Sequence, residues 1–168
     1  MSLVISGKTW KFGDDISTDH ITPGRYFHLR GNLEELAKHV LEDADPSFAS
    51  KVEKGDIIIA GKNFGLGSSR EHAPRAIKIA GVSCIIAKSF ARIFYRNAFN
   101  IGLPLLVSNT DEIEEGDNLR IDLDKGEIKD ENNGKVLTFS PISSFMKKLI
   151  ENGGIEEHIK KYGDFKVE

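Results

Sequence analysis

One cysteine in 168 residues is the most restrictive feature of this sequence. Cys84 alone cannot close an internal disulfide, complete a structural zinc site or hold an iron–sulfur cluster. Any metal chemistry must therefore rest mostly on ligands from elsewhere. Long apolar runs are missing too. Stretches such as Ile57–Ala60 and Leu103–Val107 fall far short of the about 20 residues that a membrane-spanning helix needs. No apolar core follows Met1-Ser2-Leu3, so no secretory signal is expected and a cytoplasmic location is. Nor is there an excess of positive charge. Twenty-three basic residues against 26 acidic ones leave a formal charge of −3, which argues against a general binder of nucleic acid or anionic membrane. Repeats, heptads and low-complexity tracts are absent as well.

What is present suits a packed core. Hydrophobic residues make up 39% and charged residues 29%, and the length predicts a single domain over residues 1–168. Residues 3–12 read as one or two short strands around a turn at Gly7. Residues 14–30 are polar, punctuated by Gly and Pro, and without periodicity, a length that in a compact domain points to function or mobility. Asn32 opens a helix with Glu35 as its capping-box partner, and its apolar stripe of Leu33, Leu36, Val40 and Leu41 ends near Asp45-Pro46.

Strand and helix then alternate. Residues 56–61 read as a buried strand, followed by a helix carrying Ala73, Ala76, Ile77 and Ala80 that stops at Gly81. Residues 82–87 are the next strand, Ser89 caps a second helix, and residues 103–107 form a third strand. These spacings imply parallel strands with right-handed crossovers. Farther on, Leu119–Leu123 and Glu127–Asp130 read as a hairpin. A strand over 135–139, a helix from about Ser143 to Glu151 and a polar helical tail follow. The expected class is α/β, a parallel strand–helix–strand core with additional antiparallel strands.

The segment Gly61-Lys-Asn-Phe-Gly65-Leu-Gly67-Ser68-Ser69-Arg70-Glu71-His72 is the chemical focus. It leaves a strand and enters a helix, so free backbone N–H groups and the positive end of a helix dipole meet whatever docks there. Two hydroxyls and a guanidinium suited to a bidentate grip on a carboxylate or phosphate stand beside them. A Walker A loop needs a lysine after its glycines, and Ser68 follows Gly67. The dinucleotide fingerprint fails at Arg70, where its third glycine would stand. A small carboxylate is the better-supported anion. Pro74 places the start of the regular helix close to itself, leaving Ser68–Arg70 in an irregular turn. On the residues alone, Ser68 and Glu71 read equally as a capping box with no chemistry.

These residues, with Lys88-Ser-Phe-Ala-Arg-Ile93, Gly102-Leu-Pro104, Asp15-Ile-Ser-Thr-Asp-His-Ile21 and Leu29-Arg30-Gly31, resemble the swivel domain of the aconitase superfamily. The resemblance covers nearly the whole chain, and Gly-x-Gly-Ser-Ser-Arg-Glu-His is its most specific string. It implies an aconitase-type swivelling domain of β/β/α layers. As a free-standing chain the sequence is similar to the small subunits of two-subunit hydro-lyases, those of 3-isopropylmalate dehydratase first. The implied reaction is a reversible dehydration and rehydration that interconverts 2-isopropylmalate and 3-isopropylmalate in leucine biosynthesis. The implied partner is the large subunit, which holds a [4Fe-4S] cluster acting as Lewis acid. No cofactor or metal is expected on this chain.

Carried over by position, the resemblance makes Ser68 the catalytic base, Ser69 a substrate contact and Arg70 a carboxylate ligand. Arg30 matches a substrate-binding arginine on a mobile loop of about residues 22–33, and Asp19 an aspartate of the active-site network. On the residues alone, Asp19 reads equally as an Asx turn and Arg30 as a solvated charge. His20 and His72 lack ligand spacing and read as hydrogen-bonding scaffold. Cys84 reads as a buried hydrophobe, and Phe90, Phe94 and Phe99 as core. Arg92 and Arg96 are assigned to orienting the site or a partner interface, not to catalysis. Two other functions stay open. One is a homoaconitase-type small subunit, with Arg30 reaching an extra carboxylate. The other is a non-catalytic carboxylate-binding module.

Overall fold

The computed structural model describes residues 3–163, so the outermost positions of the expected 1–168 domain, Met1 and Ser2 among them, lie outside the described residues. Seven strands form one mixed sheet in the order β4-β3-β2-β1-β5-β6-β7. The strands are β1 (Val4–Lys11), β2 (Ile57–Ala60), β3 (Cys84–Ala87), β4 (Leu105–Val107), β5 (Asn118–Asp122), β6 (Glu127–Asp130) and β7 (Val136–Thr138). β1 through β4 run parallel, with Ile58 opposite Ile85 and Ile86 opposite Leu106. β5, β6 and β7 add antiparallel, with Leu119 opposite Asp130 in the expected hairpin.

The near-continuous apolar runs of β2 and β3 follow from burial on both faces. Ile57, Ile59, Cys84, Ile86 and Leu106 point to one core together with Leu119, Ile121, Ile128 and Phe139. Their alternates, Ile58, Ala60, Ile85, Ala87 and Leu105, face a second core closed by the helices. Burying one such isoleucine fully stabilises the fold by about 1.5–3 kcal/mol. The sheet curls around the first core. Ser140 N–H donates to the Val107 carbonyl at 3.0 Å, and the Ser108 hydroxyl to that of Thr138 at 2.7 Å, so the two edge strands approach each other.

The helices are α1 (Thr18–Ile21), α2 (Leu33–Ala37), α3 (Phe48–Lys51), α4 (His72–Ala80), α5 (Arg92–Asn100), α6 (Ser144–Asn152) and α7 (Ile155–Tyr162), with a 3-10 turn over Gly24–Leu29. α4 connects β2 to β3 and α5 connects β3 to β4, and both pack into the core beside these parallel strands. None of the helices among the described residues is long and apolar enough to cross a membrane.

Several local expectations are corrected. β1 runs unbroken through Gly7, which pairs with Leu119. A Cβ there would collide with the Gly55 carbonyl oxygen, so this glycine serves a close backbone approach and not a turn. The helix opened by Asn32 stops at Ala37. Asn32 Oδ1 accepts the Glu35 N–H, but the Glu35 carboxylate pairs with Lys38 at 2.8 Å, so the reciprocal half of the box is missing. Val40 and Leu41 remain fully buried through turns, Leu41 with φ of 59°. The start of α4 is as expected: it begins at His72, close to Pro74, and leaves Ser68–Arg70 in the turn, Pro74 being tolerated because a first-turn residue has no intrahelical use for its N–H. Ser89 does not cap α5. Its hydroxyl accepts the Asn63 N–H at 2.8 Å, and Ala91 stands at the N-cap without a side-chain bond.

Candidate active site

The glycine-rich segment between β2 and α4 is pinned from both sides. Along one flank runs the chain ahead of α1. Gly65 N–H donates to Ile16 O at 2.7 Å and Thr18 N–H to Leu66 O at 2.8 Å, while the buried Thr18 hydroxyl donates to Ser68 O at 2.9 Å. Along the other runs the approach to α5, where Phe64 N–H donates to Ser89 O at 3.1 Å and Ala91 N–H to Phe64 O at 3.0 Å. Gly65 has φ of 85°, and a Cβ on it would run into the Phe94 ring. A side chain there is excluded twice, by backbone geometry and by the aromatic packed on it.

So held, the turn after Gly67 presents two exposed hydroxyls, Ser68 and Ser69. Among the described residues, no hydrogen-bond acceptor takes the backbone N–H groups of Ser68, Ser69 or Arg70. The Arg70 side chain reaches back over the turn. Its Nε donates to Ser68 Oγ at 3.2 Å, and one terminal nitrogen donates to both Asp19 Oδ1 at 3.2 Å and the Thr22 carbonyl. Asp19 Oδ1 also accepts the Gly24 N–H at 3.0 Å. Neither Ser68 nor Glu71 makes a side-chain cap on α4, so the capping-box alternative is not what this segment forms.

Ser68, Ser69 and Arg70 open onto one cavity of about 390 Å³, walled also by Thr18 and Gly67 and, from α5, by Arg92, Ile93, Phe94 and Arg96. Asp19 joins the group through its ion pair with Arg70. Arg30 stands apart. Its guanidinium lies 4.1 Å from the Phe27 ring centre and donates to the Phe27 carbonyl at 3.1 Å. Phe27 meets His72 edge-on at 6.0 Å, and burial, then Arg70 and Arg30, hold the His72 imidazole below its ordinary pKa. His20 is scaffold. Its Nδ1 lies 2.9 Å from both the Ser17 N–H and hydroxyl, completing the cap of α1.

Sequence reasoning gave Arg92 and Arg96 to orienting the site or a partner interface, and they line the cavity; it overlooked Thr18 as a cavity wall. The available signal for the arginines was their i, i+4 spacing at the start of the helix after Ser89. Phe94 and Phe99 are core, and Phe90 is half-buried against Phe64. Cys84 is fully buried in β3, and burial pushes its thiol far above the ordinary range. Among the described residues no three His, Cys, Asp or Glu side chains are grouped to hold a metal ion. Cys84 is the one cysteine of the sequence and is fully buried, so the described residues offer no set of thiolates to an iron–sulfur cluster.

Residues 19–110 match the aconitase C-terminal domain family. The chain is 65% identical to 3-isopropylmalate dehydratase small subunit 1 of Thermotoga maritima, over 96% of this chain and 98% of that one. It is 62% identical to 3-isopropylmalate dehydratase small subunit 2 of Archaeoglobus fulgidus, with the same coverage. Its fold superposes on the crystal structure of 3-isopropylmalate dehydratase from Methanocaldococcus jannaschii with a TM-score of 0.91, at 46% identity and 96% coverage of each chain.

Proposed function

The chain belongs to the aconitase C-terminal domain family and, within it, to the 3-isopropylmalate dehydratase small subunits, and from this we propose that it supplies the base and a carboxylate clamp for interconverting 2-isopropylmalate and 3-isopropylmalate. The observation that carries the assignment of roles is the contact of Arg70 Nε with Ser68 Oγ at 3.2 Å, on a turn whose N–H groups are unclaimed and which faces a cavity.

Dehydration removes a proton from the carbon beside one carboxylate and the hydroxyl from its neighbour, giving an alkene and water; the Lewis acid that the family implies on the large subunit would take the departing hydroxyl. Rehydration reverses this with the hydroxyl on the other carbon. Ser68 takes the carbon-bound proton on its Oγ and returns it on rehydration. A serine alkoxide is a poor species at neutral pH. The adjacent guanidinium and the unclaimed N–H groups stabilise it, and more so once a closed interface excludes water. Ser69 donates to a substrate carboxylate, and Arg70, aimed by the terminal nitrogen that Asp19 and Thr22 hold, pairs with it through its other terminal nitrogen. Residues 22–33 close over the bound diacid, and Arg30 leaves the Phe27 ring to join it. The family implies an iron–sulfur cluster on the large subunit, and the proton-transfer and carboxylate-binding roles argued here are independent of it.

Reconstitution with a cognate large subunit tests the reading. The isolated chain is expected to be inactive and the mixture to turn over 3-isopropylmalate. Dehydration of homocitrate-series substrates at the greater rate would move the assignment to the homoaconitase type. Near-normal turnover by Ser68→Ala would remove the assigned base.

A further inference from the structure

Gly67 has φ of 105°, a region that glycine enters freely, so its own backbone preference does little to fix how the chain continues into Ser68 and Ser69. The constraint comes from Thr18, the first residue of α1. Its N–H donates to the Leu66 carbonyl at 2.8 Å and its hydroxyl to the Ser68 carbonyl at 2.9 Å, so one residue holds the two carbonyls that flank Gly67. Among the described residues, the Thr18 hydroxyl is the one group bonded to the Ser68–Ser69 peptide. Thr18 is 3% exposed, and its hydroxyl lies so close under the turn that a Cβ on Gly67 would stand 3.3 Å from it. A threonine inside a helix commonly gives its hydroxyl proton to the carbonyl one turn back, as Thr22 does to Thr18 at 3.1 Å. At the first position of α1 no helical carbonyl lies one turn back, and the proton goes to the glycine-rich turn instead.

We propose that Thr18 is a positioning residue for the dehydration, its hydroxyl holding the Ser68–Ser69 peptide in the orientation that keeps Ser68 Oγ against the Arg70 guanidinium and presents the Ser69 N–H as a free donor. The peptide is planar and trans, so its C=O and N–H point in opposite directions. With the oxygen fixed on Thr18, the Ser69 N–H faces away from Thr18, where among the described residues it meets no acceptor. Rotating this peptide would swing the donor round and carry the Arg70 backbone with it, opening the 3.2 Å contact of Arg70 Nε with Ser68 Oγ. Thr18 also supports the far end of the same guanidinium. Its carbonyl accepts both the N–H and the hydroxyl of Thr22, whose own carbonyl accepts from Arg70. Proton transfer depends steeply on where Oγ stands, a displacement of about 1 Å costing up to about a hundredfold in rate. Diacid binding draws instead on the guanidinium and the Ser69 hydroxyl, so loss of the lock falls on kcat more than on KM. The inference deepens the proposed function and rests on it for the reaction, but not for the lock itself.

The test compares wild type with Thr18→Val, which keeps the shape and removes the hydroxyl, and with Thr18→Ser, which keeps the hydroxyl and removes the methyl. Thr9→Val is the control. Thr9 is also buried and its hydroxyl also donates to a distant carbonyl, that of Glu114 at 2.7 Å, but it does not line the cavity. Kinetics on 3-isopropylmalate are measured in the complex reconstituted at saturating large subunit, stability by urea unfolding of the chain, and the turn by amide NMR of the isotope-labelled chain. Thr18→Val should lower kcat about tenfold to a hundredfold with KM within about threefold of wild type, and Thr18→Ser should recover most of that loss. Thr9→Val should lower the urea midpoint about as much as Thr18→Val does and leave kcat unchanged. The amide signals of Ser68, Ser69 and Arg70 should be single in wild type and in Thr18→Ser, and doubled or broadened by exchange in Thr18→Val. Should Thr18→Val not fold, Thr18→Ala takes its place, since Thr18→Ser reports separately on the methyl. A normal kcat without the hydroxyl would overturn the proposal, as would a loss in Thr18→Ser equal to that in Thr18→Val, or an unchanged amide pattern. A wild-type complex inert towards 3-isopropylmalate would overturn the substrate assignment alone, and the amide spectra would still decide whether Thr18 holds the peptide.

Discussion

Arg70 and Asp19 form an ion pair at 3.2 Å between partners of very different exposure, 20% for the arginine side chain and 67% for the aspartate. The arginine is fixed by three acceptors, Ser68 Oγ, Asp19 Oδ1 and the Thr22 carbonyl, whereas the aspartate is mostly in water. A pair with one such solvated partner contributes at most about 1 kcal/mol to folding. Its value lies in aiming the guanidinium. Asp19→Asn should therefore change stability by less than about 1 kcal/mol, yet lower kcat/KM about tenfold or more by letting the fork turn from its working orientation. Thermal melts of the isolated chain and kinetics of the complex check the two halves. A large stability loss with normal kinetics would make the pair structural.

Ser68 and Ser69 are adjacent, exposed and chemically identical, so substitutions that differ only in position separate their roles. Ser68→Ala should lower kcat by about a hundredfold to ten-thousandfold, the range expected for loss of a positioned acid–base group. Ser69→Ala should chiefly raise KM, by about tenfold, because a hydrogen bond to a charged carboxylate is lost in ground and transition states alike. Both variants should fold within about 0.5 kcal/mol of wild type, since each hydroxyl faces solvent. Steady-state kinetics on the complex and urea unfolding of the chain provide the comparison. A shared kinetic phenotype would reject the division of labour.

The legibility of this fold in its sequence varied with the physics of each part. β2, β3 and the helix between them were visible because Ile57–Ala60 and Cys84–Ala87 are short apolar runs between turn signals, and because Ala76, Ile77 and Ala80 repeat at helical spacing. α1 and the 3-10 turn were not, because elements of four and six residues are too short to display a period. The premature end of α2 was hidden as well. Val40 and Leu41 continue the apolar stripe in sequence and are buried, but a residue with positive φ buries them through turns. The site was legible as far as its loop chemistry went. Glycines, hydroxyls and an arginine between strand and helix reveal an anion-binding turn. The α5 wall was legible only as an orienting role for Arg92 and Arg96, because nothing local in them says that α5 lines the same cavity as that turn.

Gly65 makes this packing testable. Gly65→Ala must place a Cβ against the Phe94 ring at φ of 85°, a conformation that L residues rarely adopt. Backbone strain and overpacking together should cost about 2–4 kcal/mol in unfolding free energy. Gly67→Ala offers an internal control. It has φ of 105°, but its Cβ would lie 3.3 Å from the Thr18 hydroxyl oxygen, a milder contact. The first variant should lose clearly more stability in urea than the second. Equal losses would mean that the Phe94 contact matters little beside the backbone term. In Gly65→Ala the α5 wall should also shift, weakening diacid binding in any fraction that folds.

His72 should betray the electrostatics of the turn in its titration. Burial, then Arg70, then Arg30 hold its pKa below the ordinary value of about 6.5. The unfolded chain thus binds the His72 proton more readily than the folded one. The sign follows: stability is fully present above about pH 6.5, and falls as pH drops from there towards the folded-state pKa. His72→Gln should flatten that acid-side decline in urea midpoints measured between about pH 5 and 7. Proton NMR of the imidazole gives the direct readout. In Arg70→Gln the His72 titration should move upward, and in Arg30→Gln by a smaller amount. Neither should restore the ordinary value, because burial is the larger cause and persists in both. A titration unmoved by Arg70→Gln would show that the guanidinium does not reach His72, and that the turn's positive field stops short of the Phe27 loop.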